Sequence, residues 1–139
     1  GTVTTHTLLC VRNRLDATRQ FFLCALLNSY VINAIVRLLM GGHVTTSLSE
    51  SLPAPVWRGD RTDQRMAGLA RRLSVSGVGG PAHARLQALV ARRFLLSSGE
   101  LAHVLDGFPL VPASERADVM REFGRLEGAW NRADRISGT

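Results

Sequence analysis

FFLCALLNSYVINAIVRLLM, residues 21 to 40, is the stretch whose reading decides the fold. Sixteen of its twenty residues are apolar, and twenty residues of helix match the thickness of a bilayer's hydrocarbon core. Ser29, Asn33 and Arg37 recur every four residues, however, with Asn28 beside the upper end of the row. On a helix that spacing makes one narrow polar stripe. A lipid-facing helix has no use for such a stripe, although Arg37 lies near enough to the end to snorkel. The composition therefore predicts a helix buried in protein on most sides, with one polar seam, from about Ala17 to Met40. A membrane anchor is the distant alternative. Asn28 and Ser29 are also candidates for a kink, or for the cap of a second helical segment.

Outward from this helix the period changes. Thr4 to Arg12 alternates and is rich in β-branched residues, which predicts a strand, and Asp16 is placed to cap the helix that follows. Past the helix, Gly41 and Gly42 predict its end. His43 to Thr46 predicts a second short strand, and Leu52-Pro-Ala-Pro55 closes the region before Trp57. The expected fold class is α+β and predominantly helical. Two short strands frame the long helix in a first domain, residues 1–57, and a helical extension, residues 58–139, follows. In the extension Met66, Leu69, Ala70 and Leu73 share a face, as do Leu86, Leu89, Val90 and Phe94. Pro81 is placed for a helical first turn after the glycines at 77 to 80. Ser97 and Glu100 have capping-box spacing, and Ser114 opens a last helix with Met120, Phe123, Leu126 and Trp130 inward.

Hydrophobic residues make up 45% and charged residues 20% of the 139, a balance that favours a folded core over disorder. The net charge is +6 and all 17 basic residues are arginine. Codon usage in a GC-rich genome accounts for that. So does a need for the guanidinium fork, which suits phosphate and guanine edges. Either way the charge permits an anionic partner. Cys10 and Cys24 have no metal-ligand spacing and read as buried thiols of a reducing cytoplasm. The four histidines, at 6, 43, 83 and 103, also lack metal spacing. No nucleophile-base or paired-carboxylate arrangement stands out. The amino terminus has no secretory signal and opens in the middle of a pattern, so the chain reads as part of something longer.

Three segments together carry a resemblance. THTLLCVR (5–12), ALLNSYVINAIVRLLMGGHVTTSLSESLPAP (25–55) and LQALVARRFLLSSGELAHVLDGFPLVP (86–112) resemble, in order, the carboxy-terminal part of bacterial adenine-specific DNA methyltransferases of restriction-modification systems. The resemblance implies a region that belongs to, or follows, a target-recognition domain. Its partners would be double-stranded DNA and the upstream methyltransferase domain of the parent chain, and it implies no membrane partner. It also implies S-adenosylmethionine as the parent enzyme's cofactor, but none is expected in this chain. The glycine motif for that cofactor is missing. So is the Asn/Asp-Pro-Pro-aromatic tetrapeptide that holds an extruded adenine, since the prolines at 53, 55, 81, 109 and 112 include no adjacent pair. No catalytic residue is assigned. The candidate DNA contacts are Arg12, Arg14, Arg37, His43, Thr45, Thr46 and Ser47, which are long or short polar side chains at strand ends and helix ends able to reach phosphates or base edges. For Arg37 and His43, structural roles (satisfying helix carbonyls, packing, a loop hydrogen bond) compete. A helical module that docks another protein chain is the alternative function.

Overall fold

The computed structural model describes residues 14–39 and 51–137, with side chains described as far as residue 129. Six helices are found there: α1 Ala17–Leu27, α2 Tyr30–Leu39, α3 Arg61–Ser76, α4 Gly80–Arg93, α5 Ser98–Asp106 and α6 Ala113–Ser137. The α+β expectation is overturned, because the described residues are helical and include no strand. The expected strands at 4–12 and 43–46 lie outside the described residues. A short alternating run specifies a strand only when another strand pairs with it, and the described elements offer one another helix faces, not sheet edges.

The expected single helix from Ala17 to Met40 is two helices bent by 60°. The break is chemical. Asn28 folds its side-chain amide back onto the Cys24 carbonyl at 2.9 Å, so a group that favours local backbone bonding ends α1. Ser29 Oγ donates to Leu26 O at 2.7 Å and accepts from Ile32 N at 3.1 Å. Ser29 thus serves as the N-cap of α2, bonding to its third backbone N–H. No single helix among the described residues is long and apolar enough to cross a membrane, and α1 with α2 passes that test only as a bent pair. Part of their apolar content goes inward, with Phe22, Ala25, Leu26, Val31 and Ile32 buried, while Leu27, Leu38 and Leu39 are exposed and so is Cys24, which was expected to be buried.

Local start signals act where expected. Asp16 accepts from Arg19 N at 2.9 Å, and Pro81 sits in the first turn of α4. Ser97 and Glu100 close a reciprocal capping box. The Ser97 backbone N–H, and then its hydroxyl, hold the Glu100 carboxyl below the usual carboxylate range.

At the centre lies α4. It packs against α1, α2, α3 and α6, and α5 packs against α2 and α6. Residues 83–84 and 86–91 are all buried, so α4 is enclosed on nearly every side where the pattern of Leu86, Leu89, Val90 and Phe94 suggested one face. Ala84, Ala88 and Ala91 are nearly inaccessible, and side chains this small let neighbouring helix backbones approach closely. One cluster runs from Phe22 through Met66 and Leu89 to Phe123.

The segment before α3 is held by a buried charge. Asp63, fully inaccessible, accepts from Arg58 N at 2.6 Å and Gly59 N at 3.0 Å through Oδ2. Its Oδ1 accepts from Arg93 Nε of α4 at 3.0 Å. Arg93 also donates to Val56 O at 2.7 Å, and Trp57 packs edge-on against Phe22 with centroids 5.1 Å apart. Removing one member of a buried, hydrogen-bonded pair strands the other charge. Asp63→Ala is therefore expected to lower unfolding stability by about 3–5 kcal/mol, read as a reduced midpoint in urea denaturation. A loss below about 1 kcal/mol would mean the pair is not an anchor.

Candidate functional site

Two concentrations of polar chemistry stand out, and only one opens to solvent. The enclosed one joins α2, α4 and α6. Gln87 Oε1 accepts from Tyr30 N at 2.9 Å, which satisfies a backbone donor in the first turn of α2. That contact fixes the amide orientation, so Gln87 Nε2 faces Asn28 O at 3.3 Å and His83 Nε2 at 2.9 Å. An amide nitrogen only donates, so His83 Nε2 must accept and its proton sits on Nδ1. Nδ1 lies 3.1 Å from Glu115 Oε1 but is aligned too poorly for a hydrogen bond, so this is an electrostatic contact. Tyr30 Oη donates to the same Glu115 oxygen at 2.6 Å. These groups face one another, and none lines either of the two principal grooves. Their arrangement locks three helices together.

The open concentration is a groove of about 670 Å³ between the start of α3, the end of α4 and the second half of α6. Five arginines line it: Arg58, Arg61, Arg65, Arg92 and Arg93. Arg93 is committed to Asp63, and Arg92 lies 3.7 Å from Glu127 and stacks over Phe123. Asp60 also lines the groove, but its carboxylate is turned to the backbone of Thr62 and Asp63 as the cap of α3. The guanidiniums of Arg58, Arg61 and Arg65 are exposed and have no hydrogen-bond or ion-pair partner among the described residues. Helical spacing puts Arg61, Arg65 and the exposed Arg72 within about 40° of one another around α3, on the side away from Met66, Ala70 and Leu73. The groove's wall is apolar, supplied by Leu89, Leu95, Leu126 and Ala129. No group of His, Cys, Asp or Glu among the described residues could hold a metal ion.

Of the seven expected DNA contacts, two, Arg14 and Arg37, fall among the described residues. Arg12, His43, Thr45, Thr46 and Ser47 lie outside the described residues. Arg14 is exposed just before α1. Arg37 donates to Gly107 O, at the end of α5, over 3.1 Å and lies 4.4 Å from the Phe108 ring centroid, so it satisfies a helix-end carbonyl. The structure does not bring Arg14 or Arg37 into the arginine-lined groove. Sequence reasoning missed Arg58, Arg61 and Arg65. Arg61 and Arg65 lie one turn apart just past the capping Asp60, with Arg58 just before it, but that spacing does not announce that the three line a common groove. None of the known family models, curated proteins or solved structures matches this chain.

The enclosed cluster yields a direct test. Burial, then the hydrogen bond to Glu115 and its charge, push the Tyr30 phenol well above its ordinary value. Tyr30 is the chain's only tyrosine, so tyrosinate absorbance reports on it alone. A raised folded pKa means that this contribution to stability is complete below the unfolded value of about 10 and is lost as pH rises past it. No tyrosinate signal is expected at pH 10.5 while the helical circular dichroism persists, and Tyr30→Phe is expected to flatten the decline in stability above pH 10. A half-developed signal near pH 10 in the folded protein would contradict the geometry.

Proposed function

We propose that this chain is a non-catalytic DNA-binding module, the recognition and carboxy-terminal part of a site-specific adenine DNA methyltransferase, and that it grips the duplex backbone with the arginine-lined groove. The observation that carries the DNA-binding reading is the set of three guanidiniums, Arg58, Arg61 and Arg65, that line one open groove and have no partner among the described residues. Unpaired arginine forks clustered at a concavity favour phosphates, which they can contact in bidentate fashion. The assignment to a methyltransferase rests on the resemblance of residues 5–12, 25–55 and 86–112. In this reading S-adenosylmethionine and methyl transfer belong to the upstream domain of the parent chain.

Exposed Leu38 and Leu110, 85% and 97% accessible, favour a second reading in which the module docks another protein chain through apolar surface. Salt separates the two. Three arginines on phosphates release about three counterions, so the logarithm of affinity for duplex DNA is expected to fall against the logarithm of salt with a slope of about −3. The Arg61→Ala/Arg65→Ala double variant is expected to reduce that slope by about 2. A salt titration by fluorescence anisotropy measures both. Absence of binding at about 50 mM salt, or an unchanged slope in the double variant, would overturn the groove as the DNA contact. Salt-insensitive self-association would favour the docking module.

A further inference from the structure

The apolar wall of the groove contains an anomaly. Leu95 has φ 60° and is the only non-glycine described residue with a positive φ. It follows Phe94, the C-cap of α4. Leu95 N donates to Arg92 O at 2.9 Å and Leu96 N to Ala91 O at 3.1 Å, the paired bonds of a helix ending in which the left-handed position is ordinarily glycine. A leucine there clashes with its own backbone, and burial is the usual compensation. Leu95 has none, being 90% exposed. Its neighbour Leu96 is the one that packs against the core. The fold thus gains nothing visible from a leucine at this position. A strained residue whose side chain is held out into a charged concavity points to a ligand contact.

We propose that Leu95 is a base-contacting residue. While Arg58, Arg61 and Arg65 hold phosphates, the Leu95 side chain presses against base edges or a base step of the same duplex. This rests on the DNA-binding reading of the groove. The chemistry suits the place, because apolar wedges flanked by arginine are a recurrent way of contacting bases from a groove. Leu95 stands two residues beyond Arg93, whose side chain is pinned by Asp63 and Val56, so the leucine projects from a fixed point. Phosphate contacts position a protein on DNA, and a contact to the bases adds affinity that a base-free polyanion cannot supply.

The test uses the whole chain and its Leu95→Gly variant, with duplex DNA and heparin as probes and thermal unfolding in parallel. Glycine relieves the positive-φ strain, so the variant is expected to unfold at or above the parent's temperature. Its affinity for duplex DNA is expected to fall about tenfold, a change of about 1.4 kcal/mol, while its affinity for heparin stays within about twofold of the parent's. Stability and DNA affinity then move in opposite directions, which a purely structural leucine would not produce. Equal loss on both probes would make Leu95 a shaping residue of the groove and overturn the base contact. Duplex binding unchanged in the variant would overturn this inference and leave the DNA-binding reading standing. If the parent binds heparin but not duplex DNA, or binds neither, both readings fall together.

Discussion

The carboxylate of Asp63 is the constraint from which the rest of the open face follows. A charge removed from water must be met by hydrogen bonds and an opposite charge, or the fold does not form around it. Asp63 meets the Arg58 and Gly59 backbone amides with one oxygen and Arg93 with the other. That draws the segment before α3 against the end of α4, and Arg93 seals the junction by reaching the Val56 carbonyl. Trp57, carried between these contacts, lands on Phe22 and ties α1 to the same corner. The rim of the arginine groove is therefore a by-product of satisfying one buried anion, and Arg58, Arg61 and Arg65 stand on a base that this contact holds in place.

A second, uncharged anchor sets the other half of the molecule. Gln87 projects from the most enclosed helix and meets the first turn of α2 and the end of α1 at once. A net hydrogen bond of this kind contributes only about 0.5–1.5 kcal/mol, but a buried donor left unmet costs about 1–3 kcal/mol. Its larger effect is on direction. The apolar stretch from 21 to 40 turns through 60° at Asn28 and Ser29 because polar groups are waiting there for backbone partners. Arg37 extends the fixation by lying on Phe108 and the Gly107 carbonyl.

What could be read from the sequence was local chemistry. Asp16, Ser97 with Glu100, and Pro81 declare helix starts because each acts within a turn of itself. Met66, Leu69, Ala70 and Leu73 declare a core face through their period. Two other features were hidden because they depend on distant partners. Asp63 occupies a first-turn position where an acid is ordinary, and nothing nearby announces that Arg93 will bury it. His83 and Gln87 made α4 look two-faced, although their polarity is consumed inside the protein. Of the site, the basic character was visible but its location was not, because convergence of Arg58, Arg61 and Arg65 with the α4 end requires the Asp63 contact to exist.

The separations of these contacts along the chain rank the entropic cost of closing them. The Asp63 to Arg93 contact spans 30 residues, whereas the Tyr30 contacts with Gln87 and Glu115 span 57 and 85. Closing the longest of these loops from an open chain costs about 0.9 kcal/mol more entropy than closing the shortest. Of these three contacts, the one that closes the α3–α4 hairpin is thus entropically the cheapest. Once it stands, it presents the enclosed face of α4 as a template on which α2 and α6 find their places, and the polar lock at Tyr30 closes a path already shortened.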